Sequence, residues 1–440
     1  FINNGGISPI WHDHYAQEYT LKVNAKYYPS NDIHQINFGW EQKLNQYQWV
    51  DVTRPWVGAP IVISDSVTTP SISIGSSNDI WRVKPNNGGI FFSDKIAYKG
   101  IIANLGLRFN YWAPGKFADD AVNNPTATVI NQVREDYLNN TMQLFGLRYK
   151  ARVLPKVNVS FPVTSNNVLY FNYTHSMRLP HPRFLYAGLD PVYQDRSFLS
   201  FLGNPDLNPE VNISYEIGLK SQLGKNIGLT LAAYNNNRFD YIVSRKVIVN
   251  DQTGRPVSKT MYINQDYAKV QGAEVNVIWK ITRQVRLFGN VAYQLAKGKS
   301  NSARESSLQI AQNGEVPLST ENYLAWDRPW NINLGNIFSV DTTAYYYSKW
   351  MKGIQLYTSF SYQSGFRYTP MLLEGYNALG RPEYATDLSA FLAKRASPWV
   401  NADFKFTKTF ASKKNKGVTL SIEIRNVFNN KRSQIINPIT

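Results

Sequence analysis

At 440 residues the chain is long enough for several ordinary domains, yet no linker-like change of composition divides it, and one continuous architecture is the simpler reading. The lack of cysteine excludes disulfides and thiolate metal sites, and the lack of any run of about eighteen apolar residues excludes a membrane protein built of helices. The net charge of +16 is spread among tyrosines and asparagines without forming an arm or helix face, which argues against nucleic acid as a partner and suits solvated turns and anionic lipid headgroups.

Trp, Tyr and Phe make up 14% of the chain and recur from end to end, as amphipathic rings do at membrane interfaces. The mean hydropathy of -0.36 does not oppose a membrane setting, because a barrel hides its hydrophobicity by alternating lipid-facing and lumen-facing positions.

In chain order, period-two alternation marks strands at 19–27, 33–50, 89–97, 101–111, 147–161 and 168–177. In 211–220, Ile213, Tyr215, Ile217 and Leu219 fall on one face and Asn212, Ser214, Glu216, Gly218 and Lys220 on the other. The pattern returns at 227–234, where Leu229 and Leu231 are apolar, and at 273–280, with Val275 and Val277 on the apolar side. It returns again at 285–296, 331–339, 354–363, 399–410 and 418–425. That makes about fourteen strands, with Ile213, Ile217, Leu229, Leu231, Val275 and Val277 expected to meet lipid.

Connection lengths carry the topology. Short links at 28–32, 98–100, 162–166, 222–225 and 282–283 alternate with long ones at 51–88, 112–145, 178–210, 298–329 and 365–398. Outer-membrane barrels have short periplasmic turns and long extracellular loops, whereas a soluble sandwich has no reason to segregate them. The segment 250–256 is a short tip where a long loop is due, which implies two strands that run far beyond the membrane. The links 340–351 and 411–416 are longer than the short side requires. Within 112–145, Val129, Ile130, Val133 and Tyr137 fall near helical spacing and predict a short helix over the barrel mouth.

No catalytic motif is present: there is no G-x-S-x-G elbow, H-E-x-x-H, phosphate loop or EF-hand, and Gly298-Lys299-Ser300 follows a strand without opening a helix. The chain therefore reads as a non-enzyme, with no cofactor. His12 and His14 share strand parity and the spacing to chelate a metal, but the simpler reading is an exposed N-terminal stretch, and no metal site is assigned. His175 and His181 flank Arg178 where a strand enters a long loop, a position from which either reaches a ligand less often than it serves packing. Asp119 and Asp120, adjacent in a long loop, read as facing solvent or calcium and not as a catalytic pair. Glu216, Lys220, Glu274, Lys280, Arg286, Glu423 and Arg425 all take the wet parity and line the interior of a barrel.

Several segments then resemble the TonB-dependent outer-membrane receptor family. Gly203-Asn204-Pro205-Asp206-Leu207-Asn208-Pro209-Glu210, leading into Ser214-Tyr215-Glu216-Ile217-Gly218, is similar to its N-P-x-L-x-P-E…E-x-G signature. Val270-Gln271-Gly272-Ala273-Glu274 resembles x-x-G-x-E, and residues 362–370 resemble Y-x-S-G-x-x-Y-x-P. Trp326-Asp327-Arg328-Pro329-Trp330 is similar to the D-x-R-H segment with Trp330 in place of histidine, and residues 426–430 to N-L-F-N/D. The earlier Gly106-Leu107-Arg108-Phe109-Asn110-Tyr111 extends the likeness to most of the chain.

The resemblance implies an all-β, antiparallel transmembrane β-barrel of about twenty-two strands with a plugged lumen. On that count residues 1–440 are a partial barrel, with the plug domain, the first strands and the last strand outside this sequence. The implied function is TonB-dependent active import of a scarce nutrient across the bacterial outer membrane. Its partners are outer-membrane lipid, an inner-membrane TonB-type energy-coupling complex and a small-molecule or oligomeric nutrient. A passive outer-membrane porin and a surface β-rich adhesin are the alternatives. Arg183, Tyr186, Trp326, Arg328 and Trp330, in long loops or at outer strand ends, are the candidate cargo contacts. Glu216, Glu274, Arg286, Glu423 and Arg425 are the candidate plug contacts.

Overall fold

The computed structural model describes residues 9–30, 32–55, 62–64, 67–68, 75, 77–189, 201–250, 255–299, 321–341, 345–411 and 417–431. Eighteen strands join one sheet, four of them short: Ser77–Val83, Met142–Leu144, Phe201–Leu202 and Asn322–Tyr323. The remaining fourteen form a continuous antiparallel wall. They are β1 Ile10–Tyr27, β2 His34–Thr53, β3 Asn86–Tyr98, β4 Ile101–Ala113, β5 Leu147–Thr164, β6 Asn167–Arg178 and β7 Glu210–Leu223, followed by β8 Ile227–Asn250, β9 Pro256–Lys280, β10 Val285–Gly298, β11 Trp330–Ser339, β12 Ile354–Gln363, β13 Trp399–Ala411 and β14 Gly417–Ile424. Each pairs with its predecessor and successor in sequence, the arrangement of an up-and-down barrel wall.

Register separates the two faces. Phe161, Leu169, Leu219, Leu231, Val275, Val291 and Ile332 stand opposite one another across seven consecutive strands, β5 to β11. On the other parity Lys220, Thr230, Asn276, Asn290, Asn333, Ser361 and Asn401 make an equally continuous polar row from β7 to β13, in which Asn290 donates to Asn276 at 2.7 Å. Large apolar side chains stay uncovered on the first face, with Phe92 50% and Ile217 51% exposed, which is the surface that lipid covers. The polar row faces the lumen.

Two of the resembling segments have a steric reason inside this wall. The ring of Tyr170 lies across Gly218, where a Cβ would come within 2.3 Å of it, and Tyr234 lies likewise across Gly272. Both glycines sit two residues from a lumen-facing glutamate, Glu216 and Glu274. Only a missing side chain leaves the tyrosines room to lie flat on the inner wall.

Turns at one end are tight. The β3–β4 hairpin closes on Lys99-Gly100, both at positive φ (47° and 82°), the pairing that matches strand twist in a two-residue turn. The opposite end carries the long loops. At 24 and 25 residues β8 and β9 far exceed the roughly 9–11 residues that cross a bilayer, so the short tip between them caps a hairpin standing well outside the membrane. A bulge at Asp240, φ 56°, breaks their ladder where the hairpin leaves the wall.

Strand bounds differ from the sequence reading mostly at these outer ends. β1 begins at Ile10 instead of near 19, and β8 and β9 continue past the limits that alternation gave. Outside the membrane the two faces no longer see lipid and water: Ile242 and Val243, adjacent in β8, are both buried, so the period-two signal disappears. Among the described residues the outer edges of β1 and β14 have no ladder partner. The segment after Asn430, where the family's last strand is expected to be missing, lies from 432 onward outside the described residues, as does Ser300.

Candidate functional site

The loops at the outer end fold into a cap with its own core. The helix expected around Val133 and Tyr137 is present as α2, Asn131–Asn140, preceded by an unanticipated α1, Lys116–Asn123. Val129, Val133 and Tyr137 pack with Leu189, Leu202 of the next loop and Met261 of β9. Arg134 caps α1 from outside, donating to the carbonyls of Ala121, Val122 and Ala127, where helix termini leave acceptors unpaired. Asp119 is not at the solvent: its Oδ1 accepts from the Tyr137 hydroxyl at 2.6 Å and its Oδ2 from the Arg148 N–H at 3.3 Å. Burial raises the Asp119 carboxyl above its ordinary value, against those two donors.

The Asn-Pro segment before β7 is a lock between loop and wall. Asn204 donates to the Tyr262 carbonyl at 3.0 Å, and Asn208 and Asn264 exchange hydrogen bonds at 2.8 and 3.0 Å. Buried Lys150 of β5 reaches the Asp206 carboxylate at 2.6 Å and Asn208 at 3.2 Å, while Leu207 is 1% exposed between Ile242 and Tyr262. Gly203 passes so close to the short helix α3, Pro182–Tyr186, that a Cβ would lie 2.6 Å from the Leu185 carbonyl oxygen.

A second lock centres on Asp327, which the sequence reading passed over while choosing its neighbours. Asp327 is 0% exposed. Its Oδ1 accepts from the Ala296 N–H at 2.9 Å, and its Oδ2 from Arg367 at 2.9 Å and Arg395 at 2.5 Å. Arg395 also donates to the Asp327 and Gly365 carbonyls, and Arg367 lies 3.6 Å over the Tyr323 ring. One carboxylate thus ties the loop before β11 to the loop before β13. The available signal was its place in the D-x-R segment: a loop acid followed by basic residues in the next loop.

Between the locks the lumen-facing wall forms a cavity of about 690 Å³ lined by Arg178, Glu210, Glu216, Tyr234, Glu274 and Trp326, among others. Its size and mixed lining suit a small-molecule ligand. At the outer ends of β1 and β2, away from that cavity, an aromatic series runs from His14 to Trp49 (3.6 Å, stacked), Trp49 to Trp81 (5.6 Å, stacked) and Trp81 to Tyr186 (5.5 Å, tilted). The Arg183 guanidinium lies 5.7 Å over Trp49. Burial pushes the Asp79 carboxyl, in the short strand beside Trp81, up to about 6, although the Gly188 N–H and the Arg183 charge pull it down.

These placements divide the expected cargo contacts. Trp326 opens onto the cavity. Arg328 does not line it and donates to Gln363 at 2.5 Å, and Arg183 lies over Trp49, outside that cavity. Tyr186 is 1% exposed, its hydroxyl given to the Pro114 carbonyl at 2.7 Å, so it supports α3 and does not reach a ligand. Trp330 packs on Tyr293 at 4.8 Å on the apolar face, the position of an interface anchor. His175 lies on that apolar face too, beside Tyr173, and His181 caps α3 by accepting the Arg183 N–H at 3.2 Å. Burial and the Arg183 charge lower the His181 imidazole below its ordinary value.

Of the expected plug contacts, Glu216 and Glu274 line the same cavity as Trp326. Arg286 lies on their parity, and Glu423 pairs with Arg425 at 2.6 Å beyond β13. His12 and His14 are exposed, as expected, but they lie in β1, paired across the ladder with β2.

A family model described as "TonB dependent receptor-like, beta-barrel" matches residues 3–427. Over 113 residues the chain is 33% identical to the "Iron-regulated outer membrane virulence protein" of Vibrio cholerae serotype O1, a stretch covering 24% of this chain and 17% of that protein. Among solved structures, the outer membrane transporter YddB of Escherichia coli superposes with a TM-score of 0.60 at 15% identity, over 95% of this chain and 51% of that one. A mutant of the ferric enterobactin receptor PfeA of Pseudomonas aeruginosa gives 0.59 at 13% identity, over 95% and 49%. The likeness is one of fold, and the chain spans about half the length of these structures.

Proposed function

The chain belongs to the TonB-dependent receptor β-barrel family, and on that premise we propose that it forms the greater part of the wall of a receptor that actively imports a scarce nutrient. The protein resides in the bacterial outer membrane. The observation that carries the reading is a wall apolar on one face and polar on the other, topped at one end by a folded cap with a cavity beneath it.

Cargo enters through the cap and meets Trp326, with Arg183 and Arg328 supplying positive charge near the mouth. The free edges of β1 and β14 are closed by further strands of the whole receptor, since open edges in lipid leave backbone groups unsatisfied at several kcal/mol each. A barrel of about twenty-two strands is too wide for side chains to fill, so a separate folded plug occupies it. Glu216, Glu274, Arg286, Glu423 and Arg425 hold that plug through solvated hydrogen bonds and charge pairs, weak enough to yield when the inner-membrane TonB-type complex pulls. The Vibrio relative is named for its regulation by iron, which makes iron-bearing compounds the first cargo class to test.

The test uses the whole receptor in a planar bilayer and in cells. Import predicts negligible conductance at rest and uptake that stops when the inner-membrane proton gradient is collapsed. A large steady current without denaturant, with gradient-independent uptake, replaces this reading with a passive porin.

A further inference from the structure

At the outer end of β1 and β2, away from the cavity, three side chains converge on the lumen face. In the ladder His12 stands opposite Asp51 and His14 opposite Trp49. Two apart on one strand, both imidazoles project to the same side, and Asp51 meets them from the neighbouring strand. His12 Nδ1 lies 2.5 Å and His14 Nε2 2.6 Å from the same atom, Oδ1 of Asp51. The ligand atoms of all three residues lie within 4.8 Å of one another.

Each group is also held from behind. His14 stacks on Trp49 at 3.6 Å with the planes 18° apart, and Trp49 Nε1 donates to the other Asp51 oxygen, Oδ2, at 2.9 Å. Trp49 is fixed in turn by its stack on Trp81. Groups that orient ligands in this way are what a preformed metal site needs. A second carboxylate, Asp79, stands opposite Asp51 in the ladder and is buried, and its Oδ2 has no hydrogen-bond partner among the described residues. Facing like charges across a ladder are destabilising, and a cation bound at Asp51 offsets them.

We propose that His12, His14 and Asp51 bind one divalent transition-metal ion of the zinc, copper or nickel class, with its remaining coordination positions open to water. Two imidazoles and one carboxylate suit these borderline ions, whereas calcium and magnesium take oxygen ligands. In the metal-free protein each imidazole nitrogen facing Asp51 must carry a proton for both contacts to be hydrogen bonds, and the ion takes the place of those protons. Metal–ligand bonds of about 2.0–2.2 Å separate the three donor atoms by roughly 3 Å, so a small outward swing of the rings makes room. More than half of the His12 side chain is open to solvent, which leaves an entry path.

The whole receptor, prepared without a polyhistidine tag and stripped with chelator, is titrated with Zn²⁺ by calorimetry and with Cu²⁺ by electron paramagnetic resonance. One saturable equivalent of Zn²⁺ is expected, with nitrogen hyperfine structure from imidazole in the Cu²⁺ spectrum. His12→Ala, His14→Ala and Asp51→Asn each weaken binding by at least about tenfold, and Trp49→Phe, which keeps all three ligands, by about tenfold. His34→Ala leaves it unchanged, since that imidazole pairs with Asp94 at the tight-turn end. Heat-modifiable gel mobility confirms the folded barrel in every sample, and His12→Gln with His14→Gln replaces any alanine variant that does not fold. Absence of saturable binding, or binding that survives loss of both His12 and His14, overturns the proposal.

Discussion

The wall and the cap of this molecule put the same residue types to opposite use. In the wall, Leu219, Leu231 and Val275 form a row that protein does not cover, and the stability of the region comes from an unbroken backbone ladder with lipid as the apolar solvent. In the cap, Val133, Tyr137 and Leu202 are withdrawn from water by one another, and single polar residues such as Asp327 and Asn204 fasten one loop to the next. A wall residue is therefore replaceable by anything of the right polarity, while a cap residue is tied to particular partners. That contrast can be measured.

The largest effect is expected at Asp327. Replacing it with alanine leaves Arg367 and Arg395 without the carboxylate they share, and removing one member of a buried ionic network costs about 3–5 kcal/mol. The loss is local to the cap. Limited proteolysis is expected to cut the loops before β11 and β13, while heat-modifiable mobility of the barrel persists. Loss of the whole barrel would mean that cap and wall fold as one unit, which breaks the comparison.

In the wall, the decisive variable is the face. Leu231, with Leu219 and Val275 beside it, meets lipid, and arginine there is expected to destabilise the barrel by about 2–4 kcal/mol in a urea unfolding titration. Thr230, one residue earlier, stands between Lys220 and Asn276 on the lumen face, and arginine there is expected to stay within about 1 kcal/mol of the parent. Equal losses at both positions would refute the assignment of faces.

Legibility in the sequence follows the same division. The alternation at 211–220 gave β7 almost complete, because lipid on one side and water on the other impose period two directly. Past Asp240 the next strand, β8, leaves that two-solvent setting, and its remaining residues carry no pattern. The helix α2 was visible through Val133 and Tyr137, but α1 was missed although Phe117, Ala118, Ala121 and Val122 fall at helical spacing, because eight residues make too short a run to stand out within a long loop. Parity and loop position sufficed to single out Trp326, Glu216 and Glu274, which line one cavity. Trp330 and Tyr186 were grouped with Trp326, because no sequence rule separates a residue packed on the apolar face or a buried strut from one that lines a cavity. Asp327 and the approach of Asp51 to His12 and His14 depend on contacts between segments about forty residues or more apart, which no local spacing encodes.

The smallest expected effect compares two glycines. Gly203 runs against α3, and a Cβ there meets the Leu185 carbonyl oxygen at 2.6 Å and the Ala187 nitrogen at 2.7 Å, both backbone atoms that cannot rotate away. The same strand of chain is pinned by hydrogen bonds from Gly203 to the Ala187 carbonyl and from Asn204 to the Phe184 carbonyl, so it cannot retreat without losing them. Gly203→Ala is therefore expected to cost about 1–3 kcal/mol, read as faster hydrogen exchange of α3 and of the segment leading into β7. In the wall, a Cβ at Gly228 meets nothing within 4 Å, and its φ is one that any residue adopts. Gly228→Ala is expected to be neutral or to stabilise β8 by about 0.4–1 kcal/mol, because alanine restricts the unfolded chain at no cost to the native strand. If the two substitutions instead cost the same, close packing of backbone against backbone is not what distinguishes the cap, and its rigidity rests on the side-chain locks alone.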